Sequence, residues 1–389
     1  MAFHISRNVH YAKHFSRSSI FLEPFAKCST KWHVFHRGYS EKKNELVQSV
    51  VIKNFNEPVT IETKESVAKL KPGQVRIKVH CCAINVADCL MWAGLSENKP
   101  KLPFVPGFEI SGEVLEVAET PKKSSEDEES DNEDALRVGD RVLALNKETL
   151  NGFSTECISD VKDVFSIPSS VSYKKAASLA DSYGTALLGI SRRGKVQKDD
   201  IVLVTAAAGG LGLAAVDIAA NVYKAKVIAV CGTEDRASLV RDKGAWAAFT
   251  FRGDKILKEE VSKISNGKGA DIVFEAVGGD VFKSAMECIA VEGKVIVGGF
   301  TSRDAPQLPL NDLIQLPSFS LIGVSLSNYR SKMFPVYRRT INDVIEMCEQ
   351  GLIVPHISET FQFKDINEAL SYVKDNKSTG KVILEIIKN

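Results

Sequence analysis

The sequence predicts an α/β protein in two parts, a doubly wound parallel sheet and a partly open β-barrel. Five apolar segments, at 201–204, 226–231, 246–251, 270–277 and 294–300, alternate with stretches of helical period such as Ala237-Leu239-Val240 and Ile256-Leu257-Val261-Ile264. Strands separated in this way by helices build a parallel sheet covered on both faces. Upstream, from about residue 46 to 172, the pattern changes to short alternating strands at 75–79, 111–117, 141–145 and 153–158. The turns Lys71-Pro72-Gly73-Gln74 and Val138-Gly139-Asp140 punctuate them, as in a barrel.

Between the first parallel strand, 201–204, and a small-residue helix at 213–222 lies the run Thr205-Ala206-Ala207-Ala208-Gly209-Gly210-Leu211-Gly212. A side chain in such a turn would hold the backbone away from a pyrophosphate, and the helix start offers unpaired amides and positive dipole to phosphates. A lone glycine turn is equally a packing turn in any α/β domain. The four strands that follow favour a dinucleotide, with ligands at the carboxyl ends of the strands. An NAD-specific site places a carboxylate at the end of the second strand, where this chain reads Cys231-Gly232-Thr233. Glu234 and Asp235 follow and cap the next helix or reach back to the ribose. Arg236, one turn into that helix, and Arg252, just past the third strand, are placed to clamp a 2′-phosphate, so NADPH is expected over NADH. The bland alternative for both arginines is a solvated surface.

At 389 residues, 44% hydrophobic and 25% charged, the chain has apolar mass for two domains, and its formal charge of +1 gives no sign of a nucleic-acid partner. The first 39 residues stand apart. Arg7, Lys13, Arg17, Lys27, Lys31 and Arg37 face one acid, Glu23, and five of the seven histidines lie here. This is the composition of a mitochondrial transit peptide over 1–39, with Arg37-Gly38-Tyr39-Ser40 as the cleavage region; a disordered basic arm is the alternative. The longest uncharged stretch, 201–216, contains the glycine turn and reads as a buried strand and helix, so no membrane span is expected. Eight cysteines without a Cys-x-x-Cys pair argue for reduced thiols and against a structural zinc lobe. Within residues 122–134, seven acids fall in the nine positions 126–134, a density that self-repels and predicts a disordered, solvated loop.

Lys71-Pro72-Gly73-Gln74-Val75, Asn85-x-x-Asp88, Pro106-Gly107-Phe108-Glu109-x-x-Gly112, Val138-Gly139-Asp140-Arg141-Val142, Tyr183-Gly184-Thr185-Ala186, the glycine turn and Gly380-Lys381 occur in one order. Together, from about residue 46 to 389, they resemble the zinc-free quinone oxidoreductase (zeta-crystallin-like) branch of the medium-chain dehydrogenase/reductase superfamily. The resemblance implies a GroES-like catalytic domain over 46–172, a Rossmann dinucleotide-binding domain over 173–318, a return to the catalytic domain over 319–389, and an active site in the cleft between the two. It also implies that Thr185, Ala208, Gly209, Gly210, Leu211, Gly212, Gly232, Thr233, Arg236, Arg252, Val277, Gly299, Phe300 and Thr301 hold the coenzyme. Asn85 matches the polar residue on the nicotinamide side, and Glu109 a glutamate that braces the barrel.

Zinc-dependent relatives place cysteine at the position of Asn85 and histidine at that of Phe108, so no metal is expected here. The implied activity is hydride transfer from NADPH to a quinone or an α,β-unsaturated carbonyl, with solvent as the proton donor. Related enoyl reductases carry a tyrosine shortly after the Asn85 position, where this chain reads Asp88-Cys89-Leu90-Met91-Trp92. Trp92 could stack on a quinone ring or plug the domain interface. Tyr183 could hydrogen-bond substrate or fill its helix, and Asp88 could orient Asn85 or cap a helix. Bacterial relatives have a tyrosine at Phe251, whose hydroxyl is worth on the order of 1 kcal/mol. A second class of function also fits the coenzyme turn: an NADPH-binding protein with little turnover that regulates a protein or RNA partner. Relatives dimerise through the edge strands of their dinucleotide sheets, and the run 319–325 suits such an edge or an interior strand.

Overall fold

The computed structural model describes residues 46–387 apart from 67–68, 98, 119–134, 253, 306–313 and 315. The basic segment 1–39 and the acidic stretch 122–134 lie outside the described residues. The N-terminal half opens with the antiparallel pair β1 (Leu46–Val51) and β2 (Thr60–Glu65). It continues with β3 (Gln74–Ile84), α1 (Val86–Trp92), β4 (Glu109–Val117), β5 (Arg141–Leu145), β6 (Glu156–Asp160) and β7 (Val164–Ser166). Two helices, α2 (Tyr173–Ala176) and α3 (Ala180–Leu187), lead into β8 (Ile201–Val204) and α4 (Gly210–Asp217). The alternation then runs through β9 (Lys226–Cys231), α5 (Glu234–Asp242), β10 (Ala247–Thr250), α6 (Asp254–Ile264), β11 (Ala270–Glu275), α7 (Gly279–Met286) and β12 (Ile289–Val297). The last elements are β13 (Phe319–Gly323), α8 (Leu326–Lys332), α9 (Phe334–Glu349), β14 (Ile357–Gln362), α10 (Ile366–Lys374) and β15 (Lys381–Glu385).

Six strands form a parallel sheet in the order β10-β9-β8-β11-β12-β13. β8 is central and buried on both faces, which is why its sequence is an unbroken apolar run rather than an alternating one. The chain leaves β8 in one direction for β9 and β10 and in the other for β11 to β13. The crevice between β8 and β11 is therefore the topological switch point, where ligands of such sheets lie. Leu257, Val261 and Phe282 pack one face and Leu213, Tyr337 and Ile341 the other.

The barrel sheet runs β14-β15-β3-β4-β5-β7, with β6 also paired to β3. Val75, Ile77 and Val79 point into its core, while Arg76 and Lys78 face outward. From His80 to Ile84 both faces are buried, because β15 and the helices α2 and α10 cover this end of β3. The expected crossing back to the barrel at residue 319 is corrected. Phe319 to Gly323 pairs in parallel register with β12 as the outer strand of the dinucleotide sheet, and α9 packs on α3. The chain re-enters the barrel at β14.

Candidate active site

The glycine turn leaves the carboxyl end of β8 and starts α4 at Gly210, with Gly209 as the N-cap. The first amides of a helix have no partner within it. A Cβ at Gly212 would lie 2.3 Å from the Ala206 carbonyl oxygen, so only glycine lets the helix begin this close to the strand it leaves. At the end of β9 a Cβ on Gly232 would meet nothing within 4 Å, and at Gly299, past β12, its nearest neighbour would lie at 3.9 Å. Val277 and Gly299 are partly exposed, and Phe300 and Thr301 exposed, along the same rim. The residues fit a dinucleotide: the start of a helix at a glycine turn, bordered by open glycine backbone past β9 and β12. Thr185, on α3, is buried.

Several side chains are used differently from the expectation. Thr233 accepts a hydrogen bond from the Arg236 amide at 3.4 Å and caps α5. Glu234 pairs with Arg241 at 2.8 Å instead of facing the Gly232 backbone. The Arg236 guanidinium donates to the carbonyls of Asn376 and, at 3.2 Å, Ser378, tying α5 to the loop before β15. Arg252 is exposed just beyond β10.

Below the turn, Thr205 and Glu275 form a buried brace that the sequence reading missed. Glu275 accepts from the Thr205 hydroxyl at 3.0 Å and from the amides of Val277 at 2.8 Å and Gly278 at 3.1 Å, locking the end of β11 to that of β8. Burial raises its carboxyl above the usual range against these bonds. An acid inside the apolar run Phe274-Glu275-Ala276-Val277 was the available signal.

On the barrel side, Asn85 precedes α1 and is held from three directions. Its Nδ2 donates to Glu109 Oε2 at 3.1 Å, and its Oδ1 accepts from Lys381 Nζ at 2.7 Å. Its backbone amide donates to Asp88 at 2.8 Å. Asp88 also accepts from the Gly107 amide at 3.1 Å, so it caps α1 and pins the loop before β4. Burial pushes the Asp88 carboxyl up to about 7. Glu109, 1% exposed, accepts from Lys381 Nζ at 2.6 Å and from the Asp181 amide at 2.9 Å, bracing β4 against α3. Lys147 and Asp181 form an ion pair beside it.

Lys381 is the residue that joins the two halves, and sequence reading gave its motif no role. Gly380, at φ +62, donates its amide to the Ala208 carbonyl at 2.8 Å, laying the start of β15 on the glycine turn. The Lys381 side chain then passes Gly210, where a Cβ would lie 3.2 Å from its Cδ, and ends on Asn85 and Glu109.

Two expected substrate contacts are corrected. The Tyr183 hydroxyl donates to Asp217 Oδ2 at 2.8 Å and the ring is 3% exposed, so it faces the helical core instead of the cleft. The Trp92 indole donates to the Glu57 carbonyl at 2.7 Å and packs within the barrel core, with Lys374 over its ring. It neither lines the cleft nor plugs the domain interface. Cys81, Cys82, Cys89 and Cys157 are buried thiols whose ionisation burial opposes.

The donor set does not fit a catalytic zinc ion. Asn85 presents an amide and Phe108 no ligand atom, and the Glu109 carboxylate is already neutralised by an ammonium that a divalent cation would have to expel.

A barrel whose last strand lies on the glycine turn of a doubly wound parallel sheet, with a polar cluster at their junction, defines a dinucleotide-dependent oxidoreductase of medium-chain architecture. The family model described as alcohol dehydrogenase GroES-like domain matches residues 71–185, and that described as zinc-binding dehydrogenase matches 210–343. Quinone oxidoreductase-like protein 2 of Bos taurus is 36% identical, over 94% of this chain and 98% of its own. Its homolog in Nematostella vectensis is 38% identical over 91% of each chain. The crystal structure of Escherichia coli quinone oxidoreductase complexed with NADPH superposes with a TM-score of 0.75 at 22% identity, covering 87% of this chain and all of that one. The chain belongs to the medium-chain dehydrogenase/reductase family, among its quinone oxidoreductase-like members.

Proposed function

We propose that the protein is a zinc-independent, NADPH-dependent reductase of quinones or α,β-unsaturated carbonyl compounds, working as a homodimer in the mitochondrial matrix. The observation that carries the reading is the junction itself: open glycine backbone on one side, the Asn85–Lys381–Glu109 cluster on the other, and one strand start joining both. When bound, the reduced nicotinamide supplies the hydride. The protein's share is placement. Gly209 to Gly212 and the start of α4 hold the pyrophosphate, Gly232 and Gly299 leave room for the riboses, and Asn85 fixes the reacting carbonyl in a site screened from water.

Glu234 is paired with Arg241 and so is not the carboxylate an NAD-specific ribose site would use, which supports NADPH over NADH, with Arg252 the arginine available to a 2′-phosphate. Arg236 contributes instead by holding the loop before β15. The outer position of β13 supports a dimer joined along that edge. The basic composition of 1–39 supports mitochondrial import.

The test is titration of the chain from Ser40 with NADPH and NADH by tryptophan quenching, followed by addition of a quinone and an enone while the reduced nicotinamide absorbance is watched. Tight NADPH binding with consumption is the expected result. Tight binding without consumption would favour a coenzyme-gated binding protein, and no binding would overturn the assignment.

A further inference from the structure

We infer that Lys381 is the proton donor of this site, giving a proton to the oxygen on which charge develops after hydride transfer. The inference rests on the reductase reading above. Lys381 is 4% exposed, and its ammonium is held by side chains at the junction of the barrel with the coenzyme turn: Glu109 Oε2 at 2.6 Å, Asn85 Oδ1 at 2.7 Å and, more loosely, Ser182 Oγ at 3.5 Å. Its stem crosses Gly210, so the ammonium sits between the start of α4 and the start of α1, where a coenzyme on the turn and a carbonyl on Asn85 would meet.

The competing acids are committed elsewhere. Tyr183 donates to Asp217, Asp88 is turned to two backbone amides, and the nearby thiols are buried. His356 Nε2 is paired with Thr379 Oγ1 at 3.1 Å. The charged groups packed around the ammonium are Glu109 from β4, Asp88 from α1, Asp181 from α3 and Lys147 after β5.

Hydride from the reduced dinucleotide adds to the β-carbon of an enone, forming a C–H bond and moving an electron pair onto the carbonyl oxygen as an enolate, or reduces a quinone to its hydroquinone monoanion, with the charge on one ring oxygen. One N–H bond of Lys381 then breaks and an O–H bond forms, leaving a neutral amine that water reprotonates.

The experiment compares wild type, Lys381→Met and Lys381→Ala for NADPH Kd and for kcat with a quinone across pH. Because Lys381→Met strands a buried carboxylate, the charge-free pair Lys381→Met with Glu109→Gln carries the same comparison if the single variant fails to fold. Expected are a kcat loss of about 100-fold or more, an NADPH Kd within about threefold, an alkaline fall in wild-type kcat that the variants lack, and partial rescue of Lys381→Ala by added ethylamine. A kcat within about threefold of wild type, or a loss confined to NADPH affinity, would overturn the assignment and leave the reductase reading standing. A wild-type chain that binds NADPH but reduces no quinone or enone would overturn both.

Discussion

Two glycine-to-alanine changes at the coenzyme turn separate what glycine does for the fold from what it does for the ligand. At Gly212 a new Cβ would lie 2.3 Å from the Ala206 oxygen and 2.8 Å from the Ala207 Cα, both backbone atoms that no rotamer change can move aside. Helix α4 must shift away from β8, an overpacking that costs about 1–3 kcal/mol. At about 2–4 °C per kcal/mol, Tm falls by about 2–12 °C. The same shift misaligns the helix amides, so NADPH binding weakens too. At Gly232 the new methyl meets nothing within 4 Å, and the backbone is not left-handed. Stability there stays within about 0.5 kcal/mol of wild type, or rises slightly as the unfolded chain loses freedom. The methyl nevertheless fills space the coenzyme needs, and NADPH Kd rises about tenfold, or about 1.4 kcal/mol. Thermal unfolding without ligand, followed by NADPH titration of both variants, reads the two effects separately. Gly212→Ala with unchanged Tm would refute the packing argument, and Gly232→Ala with unchanged Kd would refute the placement of the coenzyme.

Tyr183→Phe removes a hydrogen bond to a buried carboxylate that still holds the Val354 amide and Asn221, so it costs about 1–3 kcal/mol of stability while leaving kcat unchanged; a large kcat loss would return Tyr183 to the chemistry. Asp88, whose folded-state carboxyl titrates near 7 against a reference of 3.8, retains its proton in the folded chain where the unfolded chain has lost it. Its contribution is therefore full below about pH 4 and is lost as pH rises to about 7, on the order of 4 kcal/mol in all. Denaturant titrations should show the stability gap between wild type and Asp88→Asn shrinking over that range; a gap that widens with pH would reverse the argument. Leu321, half exposed on the outer strand β13, is the position where Leu321→Lys should convert a dimer to a monomer in sedimentation while preserving NADPH binding. A wild-type monomer, or a dimer indifferent to the change, would exclude this edge as the interface.

The periodic parts of the fold were legible because burial on both faces writes itself into composition. β8 and β9 run from Ile201 to Val204 and from Lys226 to Cys231, as their apolar runs predict. β12 starts five residues before its apolar segment, at Ile289, because exposed Val291 and Glu292, at φ +61, interrupt the pattern at a kink. The glycine turn was legible because it is local. The polar cluster was not, since Lys381 meets Asn85 and Glu109 across sequence separations of 296 and 272 residues. Trp92 and Tyr183 misled for a related reason. Their chemistry suits a cleft, but which way a side chain points is decided by partners, Glu57 and Asp217, that no spacing rule selects.

The Lys381–Glu109 pair is hard to explain as a source of stability. A buried ion pair forfeits the hydration of both charges, and replacing such a pair by apolar side chains of similar volume is often neutral or stabilising by about 1–4 kcal/mol. An apolar pair at this junction would keep β15 against β3, because that contact is carried by the backbone ladder from Val382 to Glu385. It would also keep the Gly380 amide on Ala208. What it would lose is the orientation of Asn85, whose amide is fixed at one end by the ammonium and at the other by the carboxylate. It would also lose the charge that Lys381 carries where β15 meets the coenzyme turn and the Asn85 cluster. Electrostatic preorganisation of this kind costs folding free energy and stabilises charge that exists only during reaction. The pair's lysine, one residue beyond the Gly380 amide that holds the glycine turn, places that cost where hydride transfer would need it.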